Sequence, residues 1–274
     1  MKINLAISNI AWEQASDEFM YSELSRLNFS GIEIAPTRLF TSPPYEKIQE
    51  SSNYAKRLLD EYGLSICSMQ SIWFGITGQL FGTPCERNFL LDYSKKAILF
   101  AQALSCRNLV FGCPKNRSLP DNMTPDMAYE FFSELGDFAI SCGTTLALEA
   151  NPALYGTNFI NTTREAIDFV KNVNNDGFKV NLDTGTIIHN AENISAIQDY
   201  FQYINHIHLS EPSLVPLVSR SIHKEIMSMA VKCGYEGYFS IEMGKSTIEN
   251  VLSIMAYVNE CRNQTLEALS HEAI

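Results

Sequence analysis

Residues 146–152 read Leu-Ala-Leu-Glu-Ala-Asn-Pro, and residues 180–185 read Val-Asn-Leu-Asp-Thr-Gly. Each is a short apolar run that ends on an acid and then meets a turn residue, Pro152 or Gly185. Apolar runs this short, bounded by turn signals, fit buried strands better than helices. Between them, residues 163–173 carry apolar side chains at helical spacing. Strand, helix, strand in that order is the unit from which parallel sheets are built, because parallel neighbours need a crossover.

The same alternation extends outward in both directions. The β-rich runs are residues 3–8, 31–36, 64–69, 108–112, 144–149, 178–183, 204–209 and 238–242, eight in all. Helix-like segments separate them at residues 54–62, 89–104, 125–142, 163–173, 194–201, 222–233 and 248–261. Gly63 and Gly143 stand where helices end, and Thr124 with Pro125 where one begins. Spreading 274 residues over eight units gives about 34 each, the size expected for a closed single-domain (β/α)8 TIM barrel of the α/β class. An open doubly wound sheet would carry a glycine-rich turn after its first strand. Here that turn is Ser8-Asn9-Ile10-Ala11-Trp12, without glycine. The barrel is expected over residues 1–262, with 263–274 a polar C-terminal tail that frays.

Composition agrees with a packed enzyme-sized domain. Hydrophobic residues are 46% of the chain and charged residues 19%, so a core is available and disorder is not indicated. The net charge of −11 repels polyanions and argues against nucleic-acid binding. Seven cysteines without a CxxC pair read as buried free thiols of a reducing compartment. The N-terminus reads as a first strand rather than a signal peptide, and no apolar run is long enough to span a membrane. A cytoplasmic location is therefore expected.

In such a barrel the reactive groups project from the C-terminal ends of the strands. The first four runs end near Asn9 and Trp12, Glu33 and Pro36, Gln70 and Trp73, and Cys113, Lys115 and Arg117. The last four end on Glu149, Asp183, His208 and Glu242. A carboxylate at the end of a buried run is costly unless something positive meets it. Four ligand-type residues on consecutive strands point to one divalent metal ion. Three carboxylates and an imidazole make a hard site suited to Mn2+, Mg2+, Co2+ or Zn2+. His206 and His208 share a strand face by period-two alternation, so one can bind metal while the other hydrogen-bonds within the barrel.

Other residues are candidates for contact with a small-molecule substrate. Asn151 follows Glu149 in the same turn. Lys115 and Arg117, past the fourth run, suit a phosphate or carboxylate, or else are loop cations. Trp73, with Trp12 and Phe74, reads either as an apolar wall of a ligand pocket or as packing. Residues 73–84, rich in glycine and aromatics, read as a lid or as a packed surface loop. His223 opens the following helix as a further candidate, against a plain surface or capping role.

The segments LALEANP, NLDTG, HIHLSEP and GYEGYFSIEM resemble the xylose-isomerase-like barrel superfamily of sugar isomerases and epimerases, over essentially the whole chain. The resemblance implies that Glu149, Asp183, His208 and Glu242 are the metal ligands, and that Glu149 and Glu242 also exchange protons with the substrate carbon. It implies that Glu211 lines the site and that the chain forms an oligomer. The activity implied is isomerisation or epimerisation of a small sugar or sugar phosphate through a metal-stabilised enediolate. The pattern departs from ketose 3-epimerases at three substrate contacts. Thr186 stands where they carry a histidine, Leu214 where an arginine is frequent, and Tyr155 where they place an acid. The metal chemistry is therefore expected to be kept while the substrate pocket differs. A dehydratase acting on an inosose or polyol would need the same site. An endonuclease IV-like phosphodiesterase would need more histidines and acids than the first four runs supply. A non-catalytic barrel would not need all four ligands.

Overall fold

The computed structural model describes residues 1–40 and 43–272. The strands are β1 (Asn4–Ile7), β2 (Gly31–Ile34), β3 (Ser65–Met69), β4 (Leu109–Phe111), β5 (Leu146–Glu149), β6 (Phe178–Asp183), β7 (Ile204–Ser210) and β8 (Tyr238–Glu242). The helices between and after them are α1 (Asp17–Arg26), α2 (Pro36–Leu39), α3 (Ile48–Tyr62), α4 (Pro84–Ala103), α5 (Asp126–Ser141), α6 (Thr163–Val173), α7 (Thr184–Asn190), α8 (Ser221–Lys232) and α9 (Ile248–Glu272). All eight expected runs are strands, in one parallel sheet of order β1-β8-β7-β6-β5-β4-β3-β2. A single parallel bridge between Ser8 and Glu33 joins the remaining edges, so the sheet is a nearly closed barrel.

Register brings the chemistry together. Along β5, β6, β7 and β8, Glu149 pairs with Asn181, Asp183 with His208, and Ser210 with Glu242. The polar strand ends therefore emerge at one rim. Local sequence fixes where each element stops. Gly63 takes φ +68 after α3, where a side chain would be strained. Thr83 and Glu86 close a reciprocal capping box on α4, and Thr162 and Glu165 do the same on α6. Phe132 of α5 stacks on Phe178 of β6 at 4.6 Å, and Phe111 of β4 meets Phe132 edge-on at 4.9 Å. Full burial of one such ring contributes roughly 1.5–3 kcal/mol. A Cβ on Gly177 would collide with the carbonyl oxygen of Gly136, so this glycine lets α5 sit directly against the start of β6.

Two expectations differ from the structure, and for the 73–84 loop it favours one of the two readings, the packed one. The helix expected at 194–201 is a 3-10 run, Ile194–Tyr203. The segment from Asn263 is not a frayed tail as far as it is described. It continues α9 to Glu272 and buries Thr265 and Leu269, and residues 273 and 274 lie outside the described residues. The polar side chains there lie on the outer face of a helix whose inner face still packs. The 73–84 loop is packed rather than free: Trp73, Leu80 and Phe81 are buried, and Asn116 donates to the carbonyls of Ile76 and Gly78. Among the described residues no helix is long and apolar enough to cross a membrane.

Candidate metal centre

Glu149 and Glu242 end β5 and β8, and both are buried with less than a tenth of their surface exposed. His208 of β7 lies between them, with Nδ1 at 2.9 Å from Glu149 Oε1 and 3.1 Å from Glu242 Oε2. Asp183 completes the set, and one ligand atom from each of the four residues lies within 4.8 Å of the others. The strand ends expected to share one ion are therefore brought together.

The donors suit a hard divalent cation. Three carboxylates converge here, and among the described residues the only ion-pair partner of Glu149 and Glu242 is His208. Burial and the charge of Glu149 push Asp183 up to about 6. Burial likewise raises Glu242, against the pull of His208. Burial opposes a charge on His208, yet Glu33 and Glu242 hold it protonated well above the ordinary histidine range. Each shift reports the same demand for positive charge at one point.

Three of the four candidate ligands, Glu149, Asp183 and His208, are held by further neighbours, for which the sequence suggested no such role. Asn181 donates to Glu149 Oε1 at 2.6 Å, and Asn151 donates to Glu149 Oε2 at 3.0 Å. Asn151 is in turn held by Arg117, which is fully buried and donates to its Oδ1 and to the Glu149 carbonyl, both at 2.9 Å. Asp183 caps α7 by accepting from the Thr186 amide at 2.7 Å and the Thr186 hydroxyl at 2.9 Å, and it also accepts from the Ser210 hydroxyl. Behind His208, Glu33 Oε2 lies 3.0 Å from its Nε2.

A cavity of about 190 Å³ opens onto the cluster. Its lining includes Glu149, Asp183 and Glu242 together with Gln70, Asn151, Tyr155 and Leu214. Tyr155 accepts a hydrogen bond from the Ser213 amide at 2.8 Å, and burial pushes its hydroxyl up to about 12. Tyr155 and Leu214 stand in the sequence as departures from a pattern. Only the fold shows that both face the cavity.

Of the expected substrate contacts, Asn151 alone lines it. Glu211 is buried and spent on Arg220, which donates to both of its oxygens at 2.6 and 2.7 Å. His206 lies within the barrel, with Nε2 3.3 Å from Glu33 Oε2. His223 is buried between α8 and α9, with Nδ1 2.9 Å from the Tyr257 hydroxyl. Trp73 is core, donating to Ser94 at 2.9 Å and packing edge-on against Phe111. Lys115 is exposed and outside the cavity lining, and Arg117 is turned into the protein.

A parallel barrel with a carboxylate and imidazole cluster at the C-terminal strand ends defines the class: an α/β barrel with a candidate metal centre at its active rim. The chain belongs to the family described as xylose isomerase-like TIM barrel, whose model matches residues 21–261. No curated protein sequence matches the chain. Among solved structures it is similar to L-ribulose 3-epimerase, with TM-score 0.75 and 19% identity over 99% of this chain and 97% of that one. It is similar to 3-keto-D-glucoside 4-epimerase from E. coli, with TM-score 0.72 and 17% identity over 96% and 99%. A D-psicose 3-epimerase from Clostridium cellulolyticum H10 gives TM-score 0.71 and 20% identity over 98% and 99%.

Proposed function

We propose that the protein is a divalent-metal-dependent isomerase or epimerase of a small sugar-like substrate, with Glu149 and Glu242 as the proton-transferring pair. The observation that carries this reading is that both carboxylates lie within 3.1 Å of His208 Nδ1 and line one small cavity. Glu149, Asp183, His208 and Glu242 would hold the ion. The ion would supply Lewis-acid stabilisation of negative charge on substrate oxygens.

A proton α to a carbonyl is weakly acidic, so a buried carboxylate beside it is the natural base. One glutamate takes the proton and leaves an enediolate. The other returns a proton to the opposite face of the same carbon, which epimerises it, or to the neighbouring carbon, which isomerises it. Asn181 and Asn151 fix the Glu149 carboxylate by both oxygens, which limits its freedom to swing. Gln70, Asn151 and Tyr155 offer hydrogen bonds to substrate hydroxyls. The named substrates of the similar structures, ribulose, psicose and a keto-glucoside, all place a carbonyl beside a hydroxyl-bearing carbon. They support this reading.

The test is solvent deuterium incorporation. Free ketoses and their phosphates are incubated with the protein and Mn2+ in D2O and followed by proton NMR. Loss of one carbon-bound proton signal, abolished by both Glu149→Gln and Glu242→Gln, is expected. Product of unchanged mass apart from deuterium separates this chemistry from dehydration. No exchange across the panel, with metal shown to be bound, would remove the proton-transfer reading.

A further inference from the structure

We infer that Glu33 is a positioning residue for His208, fixing the imidazole so that Nδ1 faces the four-residue cluster. This rests on the metal reading of that cluster. Glu33 comes from β2, across the barrel from the ligand-bearing strands, and none of its surface is exposed. Its Oε2 is 3.0 Å from His208 Nε2 and 3.3 Å from His206 Nε2. Its Oε1 has no hydrogen-bond partner. Among the described residues its only ion-pair partners are these two histidines. A carboxylate this deep, satisfied through one oxygen, is expensive for a fold that needs it only for packing.

The geometry gives the expense a purpose. A carboxylate oxygen accepts, so Nε2 of His208 keeps its hydrogen, and Nδ1 is the nitrogen that can release its proton and offer a lone pair to an ion. Nδ1 is the nitrogen that faces Glu149 and Glu242. The Asn181 amide nitrogen, 3.2 Å from Nδ1, is a donor that fits Nδ1 once it has given up that proton. The opposite tautomer would set a lone pair against Glu33 and aim an N–H at the ligand cluster. Carboxylate, imidazole and ion in line is the arrangement by which an outer group orients a histidine ligand and strengthens it as a donor. His206 stands edge-on to His208, with ring centroids 5.4 Å apart, and its Nε2 lies 3.3 Å from the same Glu33 oxygen without a hydrogen bond to it.

The experiment titrates the full chain with Mn2+ by calorimetry and records the visible spectrum with Co2+. Wild type, Glu33→Gln, Glu33→Ala and Asp183→Asn are compared, with circular dichroism as the check on folding. Glu33→Ala is expected to weaken the ion roughly ten- to hundredfold and to shift the Co2+ bands, because His208 loses its orientation. Glu33→Gln keeps an acceptor for Nε2 and should restore the Co2+ spectrum while recovering only part of the affinity. Should Glu33→Ala not fold, Glu33→Gln carries the test, and wild-type affinity in it overturns the proposal. Wild-type affinity and spectrum in a folded Glu33→Ala overturn it as well. If Asp183→Asn loses the ion while both Glu33 variants keep it unchanged, the metal centre stands and only the role of Glu33 falls. A wild type that binds neither ion overturns the centre itself and this inference with it.

Discussion

Oε1 of Glu149, at the end of β5, stands 2.9 Å from Nδ1 of His208 on β7. An anion and a ring nitrogen are held in contact at the point where two further carboxylates also converge. A cation that binds there stabilises the folded state by mass action. Mn2+ at about a hundred times its dissociation constant should add roughly 2.7 kcal/mol, and excess chelator should remove it. His208→Asn should abolish the difference between the two melting curves. A variant that still responds to Mn2+ by the wild-type shift would place the ion elsewhere.

Glu211 and Arg220 give the opposite kind of test. Glu211 is buried and takes both of its strong hydrogen bonds from one guanidinium, which is itself partly exposed. Arg220→Ala strands that carboxylate, and a loss of about 1–3 kcal/mol in urea denaturation is expected, with KM nearly unchanged. A substrate contact at Glu211 would reverse the pattern: Glu211→Gln would raise KM and leave the urea midpoint in place.

The fold was legible because its signals are local and repeated. Runs such as Phe178–Asp183 combine apolar composition with a terminal acid, and eight of them alternate with helical periods. The clustering of the four candidate ligands was legible for a related reason, since strand order makes consecutive strand ends neighbours in space. The substrate contacts were not. Glu211 looks like a site acid in sequence, and only tertiary structure shows Arg220 folding back onto it from the start of α8. His223, Trp73 and Lys115 could each face in or out, and their direction depends on helix rotation and loop packing that no local pattern encodes. Glu33 was readable as the one acid on the early strands, yet its partner lies 175 residues away.

Acid sensitivity should follow from His223. The ring is fully buried beside Tyr257, and burial lowers it from 6.5 to about 4, against the attraction of Glu211. The unfolded chain takes up this proton below about pH 6.5, whereas the folded chain resists until about pH 4. The stability present above pH 6.5 is therefore lost as pH falls through that window, by on the order of 3 kcal/mol in full. His223→Gln keeps a hydrogen bond to Tyr257 without the titration. Its urea midpoint should change less between pH 7 and pH 4.5 than that of the wild type. Equal slopes would remove His223 as the cause.

Tyr155 ties two loops across the cavity mouth. Its hydroxyl accepts the Ser213 amide at 2.8 Å, and Ser213 and Leu214 both hold positive φ, at 62 and 54. That backbone is strained for residues with side chains and needs a restraint. Tyr155→Phe removes the acceptor, and a cost of about 1 kcal/mol is expected in thermal or urea unfolding. Because Tyr155 and Leu214 line the cavity, KM should rise more than kcat falls. A variant with wild-type KM would leave the tie as a purely structural one.

Gly112, just past β4, sets how closely the chain can approach Glu149, a candidate metal ligand. A Cβ there would meet Glu149 Oε2 at 3.1 Å and Asn151 Oδ1 at 3.3 Å. Asn151 cannot simply withdraw, because the buried Arg117 holds the same oxygen at 2.9 Å. The methyl group of Gly112→Ala would therefore press on a Glu149 carboxylate that Asn181 and Asn151 already hold, shifting it by a few tenths of an ångström. The barrel should fold, with an overpacking cost of about 1–3 kcal/mol. Turnover should fall much further, roughly ten- to hundredfold, since a small displacement of a reacting group is costly. Parallel Mn2+ titration separates the causes: weaker ion binding locates the damage in the ligand, and unchanged binding with slower proton exchange locates it in the base. Wild-type behaviour in both would mean that Glu149 has more room than its neighbours indicate.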